Sequence, residues 1–284
     1  MTRFNIKNKG VQALFFLLLA ILIFLLVYYG RMPEGSNAVG AMQSANTATT
    51  DSQEVVAPPE VEQSSAEQSP AEQAVSPSPS EEVAAPPDLS AREAKDDAFF
   101  SDAAFMGNSL MDGFRLFSGL TTCDYYAATS MTVVGATTKA CITLDNGAAG
   151  TLVDGLSQKP YGKIYILLGI NEIGFDVATF IDYYSKMLDT IIAAQPDCDI
   201  YIMGITPVSA AKSSSGEVFN MTRITEYNTA LHQLAADKGC YYMDLVSALA
   251  GPDGFLPASE TSDGVHFSTK VYQTWLDYVR THYA

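Results

Sequence analysis

Short apolar runs alternate with amphipathic stretches over the C-terminal part of the chain. Five of these runs are rich in aromatic and branched side chains, and most are followed by turn residues, which is the pattern of strands. They cover Ala103 to Met106, Asp124 to Ala128, Lys163 to Gly169, Asp199 to Gly204 and Tyr241 to Leu245. Runs as continuous as the third indicate strands that are buried on both faces, as in a parallel sheet.

Amphipathic segments between these runs predict helices. Val177 to Ala194 has apolar residues at helical spacing and stops before Pro196, and Met221 to Lys238 has a similar pattern and is followed by Gly239. Strands that alternate with helices predict an α/β fold whose parallel sheet is covered on both faces. Sites in such folds lie beyond the carboxyl ends of the strands, so residues at those ends are the candidates for chemistry.

The N-terminal region has a different pattern. Residues 11–30 carry no charge over about 20 positions, which is the length that a helix needs to cross a bilayer. Arg3, Lys7 and Lys9 precede this run and only Arg31 follows closely, so the positive-inside rule predicts residues 1–10 in the cytoplasm and the rest outside. A cleaved signal peptide is the alternative, but its apolar region is usually about 7 to 15 residues long. We therefore expect an uncleaved anchor in the lipid bilayer.

Residues 31–96 are dominated by Ala, Ser, Pro, Glu and Gln and have no aromatic side chain. Such a segment cannot bury enough apolar surface to offset the entropy of ordering it, so we expect a disordered linker. The folded domain is predicted to span residues 97–284, in the cell envelope.

The charge of the chain narrows the possible partners of the protein. Lys and Arg total 16 against 32 Asp and Glu, and the formal net charge is −16. Binding to a phosphate backbone requires the opposite sign, so we expect no nucleic-acid partner. The sequence does not indicate protein partners.

Four cysteines lie on the exported side, where disulfides persist. Their number permits bridges without requiring them. Cys198 and Cys240 lie at the starts of neighbouring predicted strands, so we expect a bridge between them and a second one between Cys123 and Cys141. Their wide spacing and the presence of only three histidines predict no metal site.

Ser109 lies where the first predicted strand turns into a helix. A serine hydroxyl there is exposed beside the positive end of the helix, which suits a nucleophile. On local sequence alone, however, an N-cap role is the more common explanation of such a serine. A nucleophilic serine needs a base, and histidine is the usual choice. His232 falls inside a predicted helix and His282 lies almost at the C-terminus, which leaves His266.

Asp263 precedes His266 by three positions, in a polar loop before the last amphipathic segment. That spacing allows the carboxylate to accept a hydrogen bond from one imidazole nitrogen while the other faces Ser109. A capping aspartate beside a surface histidine is the alternative.

Two more positions are candidates for stabilising an oxyanion. Asn171 follows the third predicted strand, and its side-chain amide is a donor, although turn caps are a common use of Asn. Gly135 lies between the second and third predicted strands, where its backbone N–H is a further donor unless it is only a turn glycine.

These blocks, in this order, resemble the SGNH hydrolase family, also called the GDSL lipase/esterase family. The first block of that family resembles Gly107-Asn108-Ser109-Leu110, its second-block glycine resembles Gly135, its third block resembles Gly169 to Glu172, and its Asp-x-x-His block resembles Asp263 to His266. The resemblance covers about residues 98–284. Asn108 and Glu172 stand where the family usually has Asp.

The resemblance implies a three-layer α/β/α sandwich with a five-stranded parallel sheet in the flavodoxin-like strand order 2-1-3-4-5. It implies Ser109 as nucleophile, His266 as base, Asp263 as its orienting carboxylate, and an oxyanion hole formed by Ser109, Gly135 and Asn171. It implies no cofactor.

We therefore expect a membrane-anchored, extracytoplasmic serine esterase that acts on acyl or acetyl esters of envelope or extracellular glycans. One alternative is an O-acyltransferase that passes the acyl group to a sugar hydroxyl. The other is a tethered glycan-binding module without turnover.

Overall fold

The structure is a computed structural model that describes residues 85–87, 89–216 and 218–284. The predicted transmembrane segment, residues 11–30, lies outside the described residues, as does most of the predicted linker. Within the described ranges no helix is both long enough and apolar enough to cross a bilayer.

The core of the fold is a parallel sheet of five strands. The strands of the described residues are β1 (Ala103–Gly107), β2 (Asp124–Ala127), β3 (Ile142–Thr143), β4 (Ala149–Gly150), β5 (Lys163–Leu167), β6 (Asp199–Met203) and β7 (Tyr241–Met243). The five-stranded sheet has the order β2-β1-β5-β6-β7. The five predicted strands and their order 2-1-3-4-5 are confirmed. The short antiparallel pair β3–β4 was not predicted.

Helices cover both faces of this sheet. They are α1 (Ser109–Phe117), α2 (Val133–Thr138), α3 (Leu152–Leu156), α4 (Val177–Ala194), α5 (Ala210–Ser214), α6 (Met221–Lys238), α7 (Leu245–Leu249) and α8 (Thr269–Thr281). Helices α1, α7 and α8 pack together on one face, and α2, α3, α4 and α6 pack together on the other. The two long predicted helices, α4 and α6, have the predicted bounds.

One aromatic residue from each strand lies in a ladder across the sheet. Adjacent ring centroids are 5.5, 4.5, 4.5 and 5.0 Å apart, and the residues are paired in register. In sheet order they are Tyr125, Phe105, Tyr165, Tyr201 and Tyr241. Offset aromatic pairs are worth about 0.5 to 1.5 kcal/mol each beyond the area they bury. The ladder therefore links all five strands of the sheet through their side chains as well as through their backbones.

The folded unit begins before the predicted boundary at residue 97. The backbone N–H groups of Arg92 and Lys95 donate to the carbonyls of Thr281 and Arg280, at 2.8 and 2.9 Å. The Lys95 ammonium also lies 4.7 Å from the ring centroid of Tyr283. Composition alone assigns this segment to the linker, but its contacts with the C-terminal helix tie it to the domain.

All four cysteines are free thiols, so the two expected bridges are not formed. Tyr201 pairs with Tyr241, which places Cys240 level with residue 200 and two residues beyond Cys198. Two residues along a strand and one strand across separate the Cα atoms by about 8 Å. That separation exceeds the reach of a disulfide, about 7 Å.

Candidate active site

Ser109 is the first residue of α1 and directly follows the turn after β1. A Cβ on Gly107 would lie 2.5 Å from the carbonyl oxygen of Leu167 on β5, so the turn is too tight for any other residue. Asn108 is fully buried and caps the helix, because its Oδ1 accepts from the N–H of Leu110 at 2.9 Å. Asn108 stands where the resembled family usually has Asp, and its Oδ1 keeps the hydrogen-bond acceptor that caps the helix.

The structure brings Ser109, His266 and Asp263 into one hydrogen-bonded chain. Ser109 Oγ lies 3.0 Å from His266 Nε2, and His266 Nδ1 lies 2.7 Å from Asp263 Oδ2. A carboxylate can only accept, so Nδ1 carries the proton and Nε2 is left to accept from the hydroxyl. This is the arrangement that a serine nucleophile requires of its base.

Asp263 is held in its charged form. Burial opposes its ionisation, but hydrogen bonds from the His266 side chain and from the backbone N–H groups of Val265 and His266 outweigh burial and lower the pKa of Asp263 well below its usual range. The side chains of His266 and Asp263 are 51% and 50% exposed. Both side chains are therefore open to solvent.

The loop that carries His266 is braced by the segment before α5. Ser209 donates its backbone N–H to the carbonyl of Gly264 at 2.9 Å, and Gly264 donates to Thr261 Oγ1 at 2.9 Å. Gly264 has a φ of +86°, and a Cβ there would lie 2.7 Å from Ser209 Oγ. No local sequence signal pointed to Ser209 as a support for this loop.

Asn171 lies in a single 3-10 turn, Ile170–Glu172, that follows β5. Its Nδ2 donates to the carbonyl of Met131 at 2.8 Å, and its side chain is exposed. An amide nitrogen has two protons, so one fixes the orientation of the amide and the other remains for a ligand.

Gly135 does not offer a donor to this site, which corrects the prediction. It lies within α2, and its N–H donates to Thr132 Oγ1, the N-cap of that helix, at 2.9 Å. The segment before the helix contains Ser130, whose φ of +56° makes it the non-glycine residue with a positive φ in the described part of the chain. Met131 follows Ser130, and its carbonyl accepts from Asn171. In this segment it is therefore Met131, and not Gly135, that contacts a candidate site residue.

Glu172 is a buried carboxyl group at a position where the sequence shows only a departure from the usual Asp of the family. Its Oε1 accepts from the N–H of Val133, and burial raises its pKa to about 7. An acidic residue between the apolar Ile170 and Ile173, directly after a buried strand, is the signal that identifies it.

The other two histidines lie away from this chain of hydrogen bonds. The ring of His232 packs edge-on against Tyr242 at 5.1 Å, beside a cleft of about 360 Å³. His282 stacks on Tyr278 at 3.9 Å. In the residues that the structure describes, no group of three or more His, Cys, Asp or Glu side chains is placed to hold a metal ion.

The sequence model of the GDSL-like Lipase/Acylhydrolase family matches residues 105–274. No curated protein gives a significant sequence match to the chain.

Solved structures with a similar fold include a candidate platelet activating factor from Streptococcus pneumoniae, at 19% identity and a TM-score of 0.51, over 63% of this chain and 81% of that one. A candidate acylhydrolase from Bacteroides fragilis is 15% identical with a TM-score of 0.48, over 66% and 92% of the two chains. A GDSL-like lipase from Bacteroides thetaiotaomicron is 12% identical with a TM-score of 0.47, over 63% and 86%.

Proposed function

The chain belongs to the GDSL-like lipase/acylhydrolase family and is a hydrolase that acts on esters, and from this premise we propose that Ser109, His266 and Asp263 are its catalytic triad. The observation that carries the proposal is the unbroken chain from Ser109 Oγ to His266 Nε2 at 3.0 Å and from His266 Nδ1 to Asp263 Oδ2 at 2.7 Å.

In the proposed mechanism, His266 Nε2 takes the hydroxyl proton as Ser109 Oγ attacks the ester carbonyl carbon. The carbonyl oxygen becomes an oxyanion. Asp263, charged and already bonded to Nδ1, stabilises the imidazolium. The imidazolium then gives its proton to the leaving alcohol as the C–O bond breaks, and an acyl-enzyme remains. His266 then takes a proton from a water molecule as the water oxygen attacks the acyl carbon. The imidazolium gives that proton to Ser109 Oγ as the bond between Oγ and the acyl group breaks, and the acyl group leaves as a carboxylic acid.

Two donors are available for the oxyanion. The backbone N–H of Ser109 belongs to the first turn of α1, where N–H groups have no acceptor within the helix and the helix dipole favours negative charge. The second Nδ2 proton of Asn171 is the other, because the first is bound to Met131. The N–H of Gly135 is not a third donor, because it is bound to Thr132 Oγ1.

Acyl or acetyl esters of envelope or extracellular glycans are the proposed substrates. Support comes from the exposed His266 and Asp263 side chains, which leave room for a polymer, and from the predicted export of the domain. We propose that residues 11–30 anchor the chain in the lipid bilayer, with residues 1–10 cytoplasmic and the catalytic domain outside.

Short-chain p-nitrophenyl esters and an O-acetylated glycan, given to the full chain in detergent, test the activity. We expect hydrolysis of both that disappears in Ser109→Ala. Acyl transfer to a glycan hydroxyl that exceeds hydrolysis would identify an O-acyltransferase, and glycan binding without turnover would identify a binding module.

Protease added to intact cells or protoplasts tests the location. We expect release of a fragment that begins between residues 32 and 88, because the structure ties residues from Arg92 onward to the domain. Full protection of the domain in intact cells would overturn the proposed orientation.

A further inference from the structure

Glu172 is an acidic side chain that is almost fully buried, which costs the protein the hydration of its carboxyl group. It is only 4% exposed, and acidic groups are almost never fully buried unless they are paired. Its Oε1 accepts from Val133 N–H, and its Oε2 has no hydrogen-bond partner among the described residues. A buried carboxyl side chain with only one hydrogen bond to the described residues calls for a role other than stability.

The side-chain hydrogen bond of Glu172 lies next to one made by Asn171. Asn171 and Glu172 reach across to the same segment: the Asn171 amide donates to the carbonyl of Met131, and the Glu172 carboxyl accepts from the N–H of Val133. The two bonds lie on either side of Thr132, the N-cap of α2. We name these two bonds together the loop clamp.

The loop clamp fixes the segment whose carbonyl orients the Asn171 amide. That segment includes Ser130 at a positive φ, a backbone conformation that costs about 1 to 3 kcal/mol and persists only when its surroundings hold it. Without the bond from Glu172, the Met131 carbonyl would be held from the Asn171 side by one hydrogen bond alone. The amide and the carbonyl would then be less firmly positioned, with the bond from Met131 N–H to the carbonyl of Ala128 as the remaining local restraint on Met131.

The opposite side of the 3-10 turn is anchored independently. The Tyr227 hydroxyl lies 2.5 Å from the carbonyl oxygen of Glu172 and 2.8 Å from that of Phe175. The backbone of the turn is thus tied to α6 whatever its side chains are. The Glu172 side chain adds the link to α2 and Met131.

We propose that Glu172 is a positioning residue that acts through Asn171: by holding Val133, it keeps the Met131 carbonyl where it orients the Asn171 amide toward the oxyanion. This inference rests on the proposed function. The binding of an oxyanion depends steeply on geometry, since a displacement of about 1 Å can cost on the order of a hundredfold in rate. Glu172 does not touch the substrate.

The test is a double-mutant cycle on the full chain, with kcat, KM and melting temperature measured for each variant. Glu172→Gln keeps an oxygen that accepts from Val133, so we expect its kcat to stay within about threefold of wild type. Glu172→Ala removes the bond, and we expect kcat to fall about ten- to a hundredfold with KM unchanged. Asn171→Ala combined with Glu172→Ala should be no slower than Asn171→Ala alone, because the two residues act through one amide.

Gln195→Ala is the matched control for stability. Gln195 is also a buried polar side chain that holds backbone, bonded to Tyr161 N–H and to the carbonyls of Leu156 and Lys159. It lies before β6, at the opposite edge of the sheet from Ser109. We expect Gln195→Ala to lower the melting temperature while kcat is retained.

Additive losses in the double mutant, or a kcat in Glu172→Gln as low as in Glu172→Ala, would overturn the positioning role and leave the esterase function intact. Ester hydrolysis that is as fast in Ser109→Ala as in wild type would instead overturn the proposed function. The side-chain amide resonances of Asn171 then decide the positioning alone. They should shift in Glu172→Ala and not in Glu172→Gln, and unchanged resonances in both would overturn it.

Discussion

The hydroxyl oxygen of Ser109 lies 3.0 Å from Nε2 of His266, although 157 positions separate the two residues in the sequence. Ser109 reaches this place at the end of β1, and His266 reaches it on the loop before α8. Helices α1 and α8 pack on the same face of the sheet, and the rings of Phe114 and Trp275 lie 4.6 Å apart between them. Packing of these two helices therefore holds the two segments that carry Ser109 and His266 together at the site.

Replacing Ser109 with Ala should remove the activity and leave the fold intact. Loss of a triad nucleophile lowers turnover by on the order of a thousandfold or more. The measurement is p-nitrophenyl ester hydrolysis together with a thermal melt. Ser101→Ala, an exposed position just before β1 at the other edge of the sheet, is the control and should keep full turnover. A fully active Ser109→Ala would remove this residue from the mechanism.

The three histidines should differ sharply in effect. We expect His266→Ala to cost about as much turnover as Ser109→Ala, because the hydroxyl then has no base. His232→Ala and His282→Ala should barely change kcat, since their rings pack against Tyr242 and Tyr278 and not against Ser109. Comparable rate losses in all three variants would contradict the assignment of His266.

Asn171→Ala should lower both turnover and stability, by separable amounts. One preorganised donor to an oxyanion is worth about 2.7 to 4 kcal/mol, or a hundred- to a thousandfold in kcat. The lost bond to the Met131 carbonyl should also cost about 1 kcal/mol of folding free energy. Turnover per folded molecule and chemical denaturation, measured on the same protein, separate the two effects. A destabilised variant with unchanged kcat would show that Asn171 is only structural.

Gly264→Ala should damage the site more than the same change at Gly254. Both glycines have a positive φ, +86° and +80°, where a Cβ costs about 1 to 2 kcal/mol. A Cβ on Gly264 would also meet Ser209 Oγ and Lys212 Cβ at 2.7 Å, whereas nothing lies within 4 Å of one on Gly254. We expect Gly254→Ala to lose stability only, and Gly264→Ala to lose more stability and about tenfold or more in kcat because His266 shifts. Equal kcat values in the two variants would contradict this.

The stability of the protein should carry a pH-dependent contribution from Glu172. Burial raises the pKa of Glu172 to about 7, above its unfolded value of 4.5, so the folded protein holds this proton more tightly than the unfolded chain. The contribution is therefore largest below pH 4.5, is lost as the pH rises to about 7, and is constant above that. The buried Tyr184 and the Tyr227 hydroxyl lie in its electrostatic surroundings, and both stay neutral over this range because burial raises the pKa of each.

Glu172→Gln removes that titration. Relative to wild type, its free energy of unfolding should rise by on the order of 2 to 3 kcal/mol between pH 4.5 and pH 7.5. Urea denaturation of both proteins at the two pH values gives this difference directly. A difference that does not change with pH would show that Glu172 has the same pKa in the folded and unfolded states.

The alternation of apolar runs and amphipathic segments determined the elements of this fold. Strand and helix periodicity are properties of neighbouring residues, so the five sheet strands and the bounds of α4 and α6 followed from the sequence. The positions of Ser109, Asn171 and the Asp263–His266 pair followed from short motifs at strand ends and in one loop. The membrane anchor at residues 11–30 is also a reading of local composition, and it stays a prediction.

Only the tertiary structure decided how each of these groups is used. The N–H of Gly135 is bound to Thr132 and that of Arg92 to Thr281, and Glu172 is buried against Val133. Cys198 and Cys240 are two residues out of register and remain free. Each outcome depends on where a hydrogen-bond partner or a neighbouring strand comes to lie after packing. Local sequence fixes which groups a residue offers, and the packing of distant segments fixes which partner each group meets.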